Sequence, residues 1–429
     1  METLRFGSRG AAVSQLQLAL QKAGFSPGNV DGVFGINTQN AVRRFQSANR
    51  LTPDGIVGAK TWAALMPYLS GYVSYTIRPG DTFYKLAQAF NTTDAAIQAA
   101  NPTVNAYNLK VGSTIWIPTL EDIITGNVIY SYGYMETALT ALRERYPFIR
   151  IGTYGSSVMG KPLYYASIGS GKKEAFYNAS HHANEWITTP VLMRFLEEYA
   201  SAYASGKEVF DIPAKELYDA ATLYIAPMVN PDGVDLVTGA IIPGSPYYDG
   251  AVAIAEEFPA IPFPNGWKAN IVGTDLNLNY PAGWEQAKQN KERLGFTRPA
   301  PRDYVGPAPL SAQESRAVYD FTLAHDFALT LSYHSQGEVI YWNYLDMEPP
   351  RSFEIAQRLG EVSGYTVERT PPEASYAGYK DWFILHYNRP GYTIEVGKGV
   401  NPLPISQFAD IYRDNLGILA VALEEAGKL

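Results

Sequence analysis

The chain has 429 residues, 46% hydrophobic and 18% charged, which is typical of a folded globular protein and predicts two or three domains. Its net charge of -8 argues against a broad basic surface for nucleic acid or anionic lipid, and its lack of cysteine excludes disulfides, thiolate zinc sites and a cysteine nucleophile. No stretch approaches the roughly 18 apolar residues of a transmembrane helix and no secretory signal is visible, so we expect a soluble chain without membrane insertion.

The first segment, residues 1–70, alternates short helical patterns with Asp-Gly turns. Apolar residues recur with helical spacing in "SQLQLALQKAGF" and again, after an asparagine cap, in "NTQNAVRRFQSANRL". The stretches "VDGVFG" and "PDGIVGAKTW" supply Asp-Gly pairs where tight turns are needed. This order resembles the peptidoglycan-binding type 1 domain, a small three-helix module of bacterial wall hydrolases. The resemblance implies peptidoglycan as a partner.

The second segment, residues 73–118, predicts a strand, two helices and a second strand. "VSYTI" and "STIWIP" alternate like strands, Asp81 or Thr82 can cap "FYKLAQAF", and Thr93 or Asp94 can cap "AAIQAAN". With its "RPGDT" opening and "VGSTIWIP" close the segment resembles a LysM domain, which implies binding to glycans that contain N-acetylglucosamine. Two wall-binding modules in series would raise the local substrate concentration of a tethered enzyme.

The third segment, residues 124–429, predicts one large α/β domain. The strand-like runs "KEAFYNA", "TLYIAPMV", "ALTLSYH" and "GYTIEVG" alternate with helical stretches such as "TPVLMRFLEEYASAY" and "SAQESRAVYDFTLAH". Such alternation predicts a parallel or mixed sheet covered by helices. In open sheets of this kind active sites form where strands end.

Two of the five histidines stand together in "NASHHANEWITTP", between a predicted strand and a predicted helix. His182 and Glu185 are three residues apart and can converge on one ion. Catalytic zinc takes three protein ligands and one open position, and a set of two histidines and one glutamate is attested. His334 ends an apolar strand, whereas His325 and His386 lie in helix-like contexts, so we predict His334 as the third ligand.

The third segment strongly resembles the zinc carboxypeptidase family of the carboxypeptidase A type. The match rests on "HANEWI", the "NPDG" turn at 230–233, "DLNLN" at 275–279, "HS" at 334–335 and the glutamate of "YTIEVG" after "DW" at 381–382. It implies a mixed sheet of eight strands flanked by helices, one Zn2+ bound by His182, Glu185 and His334, and Glu395 as the catalytic base. Lys268 in "NGWKAN" falls where the family carries an arginine that polarises the scissile carbonyl. A lysine supplies the charge without the bidentate fork.

The positions that would bind substrate depart from the family. Asn277 is kept, but Leu278 replaces the arginine that, with this asparagine, clamps a terminal carboxylate, so we do not expect an ordinary C-terminal carboxypeptidase. Arg302 or Arg389 could offer a charge from elsewhere. Tyr376, or in competition Tyr379, is the candidate for the family's active-site tyrosine.

Two further residues near the zinc site have open roles. His181, beside His182, is expected to support a ligand or lie at the surface. Asp275 either orients a ligand histidine or only shapes its turn.

Wall-binding modules fused to such a peptidase resemble the γ-D-glutamyl-L-diamino acid endopeptidases of spore-forming bacteria. The resemblance implies cleavage between γ-D-Glu and meso-diaminopimelate or Lys in peptidoglycan stem peptides, in the cell wall, in the spore envelope or within a sporulating mother cell. Two alternatives stay open. One is a conventional metallocarboxypeptidase that removes C-terminal residues from ordinary peptides, and the other is a wall-binding protein without activity.

Overall fold

The computed structural model describes residues 2–90, 92–101, 103–118, 122–126 and 128–429. The chain forms two compact units, Met1–Arg150 and Ile151–Leu429. The domain limits expected from the sequence, 1–70, 73–118 and 124–429, remain predictions at this finer level. In the described part of the chain, no helix combines the length and the apolar composition needed to cross a membrane.

The first unit begins with three helices, α1 (Ala11–Lys22), α2 (Ile36–Ala48) and α3 (Ala59–Ser70). The expected asparagine cap of α2 is wrong: the helix begins at Ile36, and Gly35 occupies the N-cap position without a side-chain hydrogen bond. Gly58 does the same for α3. Gly35 and Gly58, each three residues after the glycine of an Asp-Gly pair, are therefore the residues from which α2 and α3 start.

The two Asp-Gly turns are held by the same hydrogen-bond pattern. In the first, buried Gln17 donates to Asp31 Oδ1 (2.9 Å) and Thr38 Oγ1 (3.1 Å) and accepts from the backbone N–H of Gly32 (2.9 Å). Gly32 has a φ of 71°, a left-handed conformation that glycine adopts at low cost. We call this arrangement the glutamine clamp.

The second turn repeats the glutamine clamp. Gln46 donates to Asp54 Oδ1 (2.9 Å) and Thr61 Oγ1 (3.2 Å) and accepts from the N–H of Gly55 (2.9 Å). One buried amide therefore satisfies the polar groups of each turn and joins it to the helix that follows.

The rest of the first unit contains a two-stranded antiparallel sheet and three helices, namely β1 (Tyr72–Thr76), α4 (Phe83–Ala89), α5 (Asp94–Ala100), β2 (Thr114–Pro118) and α6 (Tyr132–Arg145). The order strand, helix, helix, strand agrees with the sequence prediction. Thr82 caps α4 and Thr93 caps α5, because each side chain accepts from a backbone N–H three residues later. Asp81, the alternative cap, instead accepts from Tyr75 and from the N–H of Arg78.

From residue 150 onward the strands are β3 (Arg150–Ser156), β4 (Pro162–Ile168), β5 (Lys173–Ala179), β6 (Glu208–Val209), β7 (Ile212–Pro213), β8 (Ala221–Ala226), β9 (Phe327–His334), β10 (Val339–Tyr341), β11 (Thr366–Glu368) and β12 (Gly391–Glu395). Eight of them form one sheet in the order β11-β10-β12-β9-β5-β8-β4-β3. The four central strands, β12, β9, β5 and β8, are parallel, whereas β10 and β4 run antiparallel to their inner neighbours. The sheet is therefore mixed, as predicted.

The helices of the second unit are α7 (Thr188–Ser205), α8 (Ala214–Ala220), α9 (Pro231–Val237), α10 (Pro246–Glu256), α11 (Trp284–Arg293), α12 (Gln313–Leu323), α13 (Ser352–Ser363), α14 (Tyr379–Tyr387) and α15 (Phe408–Lys428). They cover both faces of the sheet, as adjacent residues of β5 show. Phe176 packs against Phe321 of α12 and Tyr379 of α14, whereas the hydroxyl of Tyr177 donates to the carbonyl of Leu419 in α15. Side chains of a strand alternate between faces, so both faces carry a buried core.

Candidate active site

The site lies at the carboxyl ends of the central parallel strands. His334 is the last residue of β9 and Glu395 the last residue of β12, and these two residues pair in the register of the parallel ladder. His182 follows the end of β5 by three residues and precedes the short 3-10 helix Ala183–Glu185. Chain topology alone thus brings the side chains of His182, Glu185, His334 and Glu395 to the carboxyl ends of the central strands.

The turn after β5 is fixed by its own hydrogen bonds. Ser180 has a φ of 53°, and its N–H donates to the hydroxyl of Thr188 (3.1 Å). Thr188 in turn donates to the carbonyl of Glu185 (2.7 Å). These contacts hold His182 and Glu185 against the start of α7.

His182, Glu185 and His334 form a buried set of metal-ligating atoms. Nδ1 of His182 lies 3.0 Å from Glu185 Oε1, Nδ1 of His334 lies 3.0 Å from Glu185 Oε2, and the two Nδ1 atoms are 3.2 Å apart. One ligand atom from each residue lies within 4.8 Å of the others, so the three can hold a metal ion. Two imidazoles and one carboxylate are a ligand set of catalytic zinc, and the residues therefore fit this ion.

The charges of the set also suit a cation. Burial alone would lower the pKa of His182, but Glu185 and Asp275 raise that pKa to about 9. Burial would raise the pKa of Glu185, yet His182 and Lys268 hold that pKa well below its usual value. Carboxylates that stabilise a proton on His182 stabilise a metal ion at the same place.

Two polar residues hold the far sides of the ligand imidazoles. Asp275 Oδ1 lies 3.1 Å from Nε2 of His182, and Asn277 Nδ2 lies 3.4 Å from Nε2 of His334. Asp275 therefore contacts a ligand histidine and, by accepting from the N–H of Asn277 (3.2 Å), also shapes its turn. Because Asp275 can accept from Nε2–H of His182, Nδ1 of that imidazole is left to face the metal position.

Glu395 and Lys268 lie next to this set. Burial, followed by the negative charge of Glu185, raises the pKa of Glu395 to about 8. Lys268 Nζ lies 3.0 Å from Glu185 Oε1. Burial alone would lower the pKa of Lys268, but Glu185 and Asp275 outweigh it and raise that pKa. A carboxyl that can exchange a proton and a fixed cation therefore stand together beside the metal position.

Two cavities meet at these residues. The larger, of about 860 Å3, is bounded by the loops around Ile261 and Asn401, and the smaller, of about 350 Å3, contains Asn277 and Leu278. Both are lined by Lys268, Arg302, Tyr341 and Glu395. A substrate whose scissile bond lies between Lys268 and Glu395 can therefore extend into one cavity on each side of that bond.

The remaining candidates occupy different places. Arg302 lines both cavities and pairs through Nε with Asp303 (2.6 Å). Leu278 lines the smaller cavity and packs with Tyr376 on the apolar cluster around Trp284. Tyr376 packs against this cluster and does not line either cavity.

The alternatives to these candidates lie elsewhere. The hydroxyl of Tyr379 is buried and lies 3.0 Å from that of Thr322. Arg389 contacts Asp326 (2.7 Å) at the opposite end of β9 from His334. His325 lies 3.2 Å from Glu174, at the start of β5. None of these three residues lines either of the two cavities beside the metal position.

His181 is fully buried beside the ligands rather than at the surface. Its Nε2 lies 3.0 Å from the hydroxyl of Tyr280. Burial and the adjacent imidazoles of His334 and His182 lower the pKa of His181 well below its usual value. His181 therefore stays neutral and packs behind the metal position.

Sequence reasoning did not identify Asn401, which lies beside the metal-ligating set. Asn401 follows β12 and donates to the carbonyl of Ser335 (2.7 Å), and its Oδ1 accepts from the hydroxyl of Ser335 (2.8 Å). Its amide nitrogen also lies 3.5 Å from Glu185 Oε1. The only sequence signal was an Asn-Pro pair in a loop after a strand, which marks a turn and not a function.

Comparison with known proteins agrees with this geometry. The family model described as zinc carboxypeptidase matches residues 135–417, the putative peptidoglycan binding domain matches 9–65, and the LysM domain matches 75–118. The peptidoglycan-binding and LysM domains indicate binding to peptidoglycan and association with the cell wall.

The curated proteins to which the chain is similar include two from bacteria. It is 43% identical over 303 residues to gamma-D-glutamyl-L-diamino acid endopeptidase 1 of Lysinibacillus sphaericus, covering 70% of this chain and 74% of that protein. It is 39% identical over 298 residues to the uncharacterized protein YqgT of Bacillus subtilis (strain 168), covering 69% and 77%.

Among solved structures the fold is similar to that of thrombin activatable fibrinolysis inhibitor. The TM-score is 0.57 at 18% identity, and the match covers 83% of this chain and 98% of that one. At this identity the likeness concerns the fold alone.

Proposed function

Because this chain belongs to the zinc carboxypeptidase family, we propose that it cleaves peptidoglycan stem peptides between γ-D-glutamate and the diamino acid that follows, meso-diaminopimelate or lysine. The observation that carries the proposal is a complete set of His182, Glu185, His334 and Glu395 beside an apolar Leu278. The 43% sequence identity with a gamma-D-glutamyl-L-diamino acid endopeptidase supports the choice of the scissile bond, and the two wall-binding domains support peptidoglycan as the substrate.

His182, Glu185 and His334 would hold a Zn2+ ion, which when bound would supply a water of lowered pKa and a Lewis acid for the scissile carbonyl. Glu395 accepts the proton of the attacking water and returns it to the leaving amine. Burial and the negative charge of Glu185 raise the pKa of Glu395, which favours retention of the proton that it takes from water until the amine leaves. Asp275 keeps the imidazole of His182 in place during these transfers.

Lys268 places a positive charge where negative charge develops on the carbonyl oxygen. Its ammonium group acts as a point charge and cannot form the bidentate contact of an arginine. The backbone holds this residue in position, because its N–H donates to the carbonyl of Pro301 (2.7 Å) and its own carbonyl accepts from the N–H of Ala183 (3.0 Å). The loop that carries Lys268 is thereby tied to the 3-10 helix that carries Glu185.

The place of action that fits this chemistry is the cell wall or the spore envelope, where the stem peptides are. Synthesis in a sporulating mother cell would bring the enzyme to the same substrate. Arg302, at the junction of the two cavities, is the candidate contact for a carboxylate of the stem peptide.

The test is mass spectrometry of L-Ala-γ-D-Glu-meso-diaminopimelate after incubation with the protein, with and without a zinc chelator. Release of L-Ala-D-Glu and free diaminopimelate that the chelator abolishes is the expected result. If zinc-loaded protein leaves stem tripeptide and tetrapeptide intact but removes C-terminal residues from all-L peptides, the conventional carboxypeptidase is correct. If it cleaves none of these peptides, the chain is a binding protein.

A further inference from the structure

The smaller cavity lacks an arginine at Leu278, yet two other cations enter it around one carboxylate. Lys291, in the last turn of α11, and Arg302 both pair with Asp303, and all three residues line the cavity. Their side chains are partly exposed: 21% for Lys291, 45% for Arg302 and 13% for Asp303. We call Lys291 and Arg302 the cation doublet.

Lys291 and Arg302 share one paired carboxylate, Asp303, and Asp275 also acts on Arg302 through space. Lys380, the other cation deep in this cavity, is already matched by Asp381 at 2.8 Å and bonded to Thr370 (2.8 Å). Lys268 is matched by Glu185. Asp303 is a single carboxylate shared by Lys291 and Arg302, so both cations have further N–H donors for an acceptor that enters the cavity.

The doublet is also fixed in relation to the reacting centre. The N–H of Asp303 donates to Asp275 Oδ2 (3.1 Å), and the other oxygen of Asp275 contacts His182. A short chain of hydrogen bonds therefore links the metal ligand to the carboxylate that holds both cations. The contact of Arg302 uses Nε, and among the described residues its terminal nitrogens have no hydrogen-bond partner.

We propose that Lys291 and Arg302 form an anion subsite that binds a carboxylate of the diamino acid on the leaving side of the scissile bond. The subsite replaces, from helix α11 and the loop at 302–303, the grip that Leu278 cannot provide. Lys291 is thereby a specificity-determining residue. The inference rests on the proposed function, since that function supplies a leaving residue rich in carboxylates.

The experiment compares two substrates in the full-length zinc-loaded protein. One is L-Ala-γ-D-Glu-meso-diaminopimelate, and the other is the same peptide with both diaminopimelate carboxyls amidated. We expect kcat/KM of the wild type to favour the free carboxylates by about tenfold or more, as for a charge-assisted contact. Lys291→Met should remove most of this preference, mainly by raising KM for the peptide with free carboxylates. Lys291→Arg, which keeps the positive charge, should retain the preference.

The matched control is Lys288→Met on the same helix, where the lysine lies over the ring of Trp284. The Lys288→Met variant should favour the peptide with free carboxylates as strongly as the wild type does. The proposal is overturned if Lys291→Met and Arg302→Met, with zinc content unchanged, slow both substrates equally, because the doublet would then only support Asp303. If the wild type cleaves ordinary peptides but no stem peptide, the proposed function fails, and the same ratio on peptides with free and amidated C-termini still tests the doublet.

Discussion

Glu395 and His334 are neighbours on adjacent strands, yet their removal should have different consequences. Glu395 contributes no atom to the metal-ligating set, whereas Nδ1 of His334 is one of its three ligand positions. Glu395→Gln should therefore retain zinc and lose at least about a thousandfold in kcat, while His334→Ala should lose both zinc and activity. Metal analysis beside stem-peptide kinetics measures this, and near-normal rates for Glu395→Gln would mean that another group is the base.

Asn401 should be a positioning residue for the metal ligands. It contacts both the backbone and the hydroxyl of Ser335 and lies near Glu185, so its amide fixes the loop that follows His334. Asn401→Ala should weaken zinc binding about tenfold or more, as removal of supporting contacts commonly does, and excess zinc should restore much of the rate. Competition with a zinc indicator gives the affinity. A lower kcat at saturating zinc with unchanged affinity would instead indicate contact with substrate.

At the level of residues, the sequence analysis could predict the site residues that lie at or just after the ends of apolar strands. His182, His334 and Glu395 follow such runs, so topology brings them together without any knowledge of distances. Lys291 and Asn401 could not be found in this way. Lys291 lies on a polar helix with the pattern of any surface helix, and Asn401 lies in a loop whose path depends on the packing around it.

At the level of elements, the central strands were predictable and the outer ones were not. β5, β8, β9 and β12 are buried over most of their length, and their sequences are rich in apolar and aromatic residues. The sequence analysis did not predict β3, β4, β10 or β11. β3 and β11 are at the edges and largely exposed, and β10 and β11 have only three residues each, so their formation depends on pairing with a strand already in place.

The glutamine clamps should be the main polar determinants of stability in the three-helix segment. Replacing Gln17 or Gln46 with leucine leaves a buried turn N–H and a threonine hydroxyl without their partner. Each substitution should lower the free energy of unfolding of this segment by about 1–3 kcal/mol. Thermal unfolding followed by circular dichroism is the measurement, and Gln21→Leu, at an exposed position of α1, is the control. Equal effects at all three sites would contradict a special role for the clamps.

The same clamps should make the first unit sensitive to acid. The Gln17 amide and the N–H of Val33 lower the pKa of Asp31 despite its partial burial, and the N–H of Ile56 and the Gln46 amide lower the pKa of Asp54. A carboxyl with a depressed folded pKa stabilises above its unfolded pKa, about 3.9, and this stability is lost as pH falls through the folded value. Unfolding temperatures should therefore drop between about pH 4.5 and pH 2.5, and Asp31→Asn with Asp54→Asn should flatten that drop.

At the level of the whole molecule, binding to the wall and cleavage should be separable. The peptidoglycan-binding and LysM domains precede the catalytic family match, and every residue of the metal-ligating set lies in the second compact unit. Oligomers of N-acetylglucosamine should reduce co-sedimentation of the full chain with sacculi and leave kcat/KM for a soluble stem peptide within about twofold. Inhibition of soluble cleavage by the oligomers would show that glycan binds at the catalytic unit.

The pairing of β9 with β12 limits which insertions and deletions this protein can accept during evolution. Glu395 stands opposite His334 in that ladder, and side chains alternate between the two faces of a strand. Inserting or deleting one residue in β9 would turn His334 to the wrong face, and the same change in β12 would turn Glu395, although every motif would still be present in the sequence. Variants of this chain should therefore differ in loop length, as at the walls of the larger cavity, while the length of these two strands stays constant.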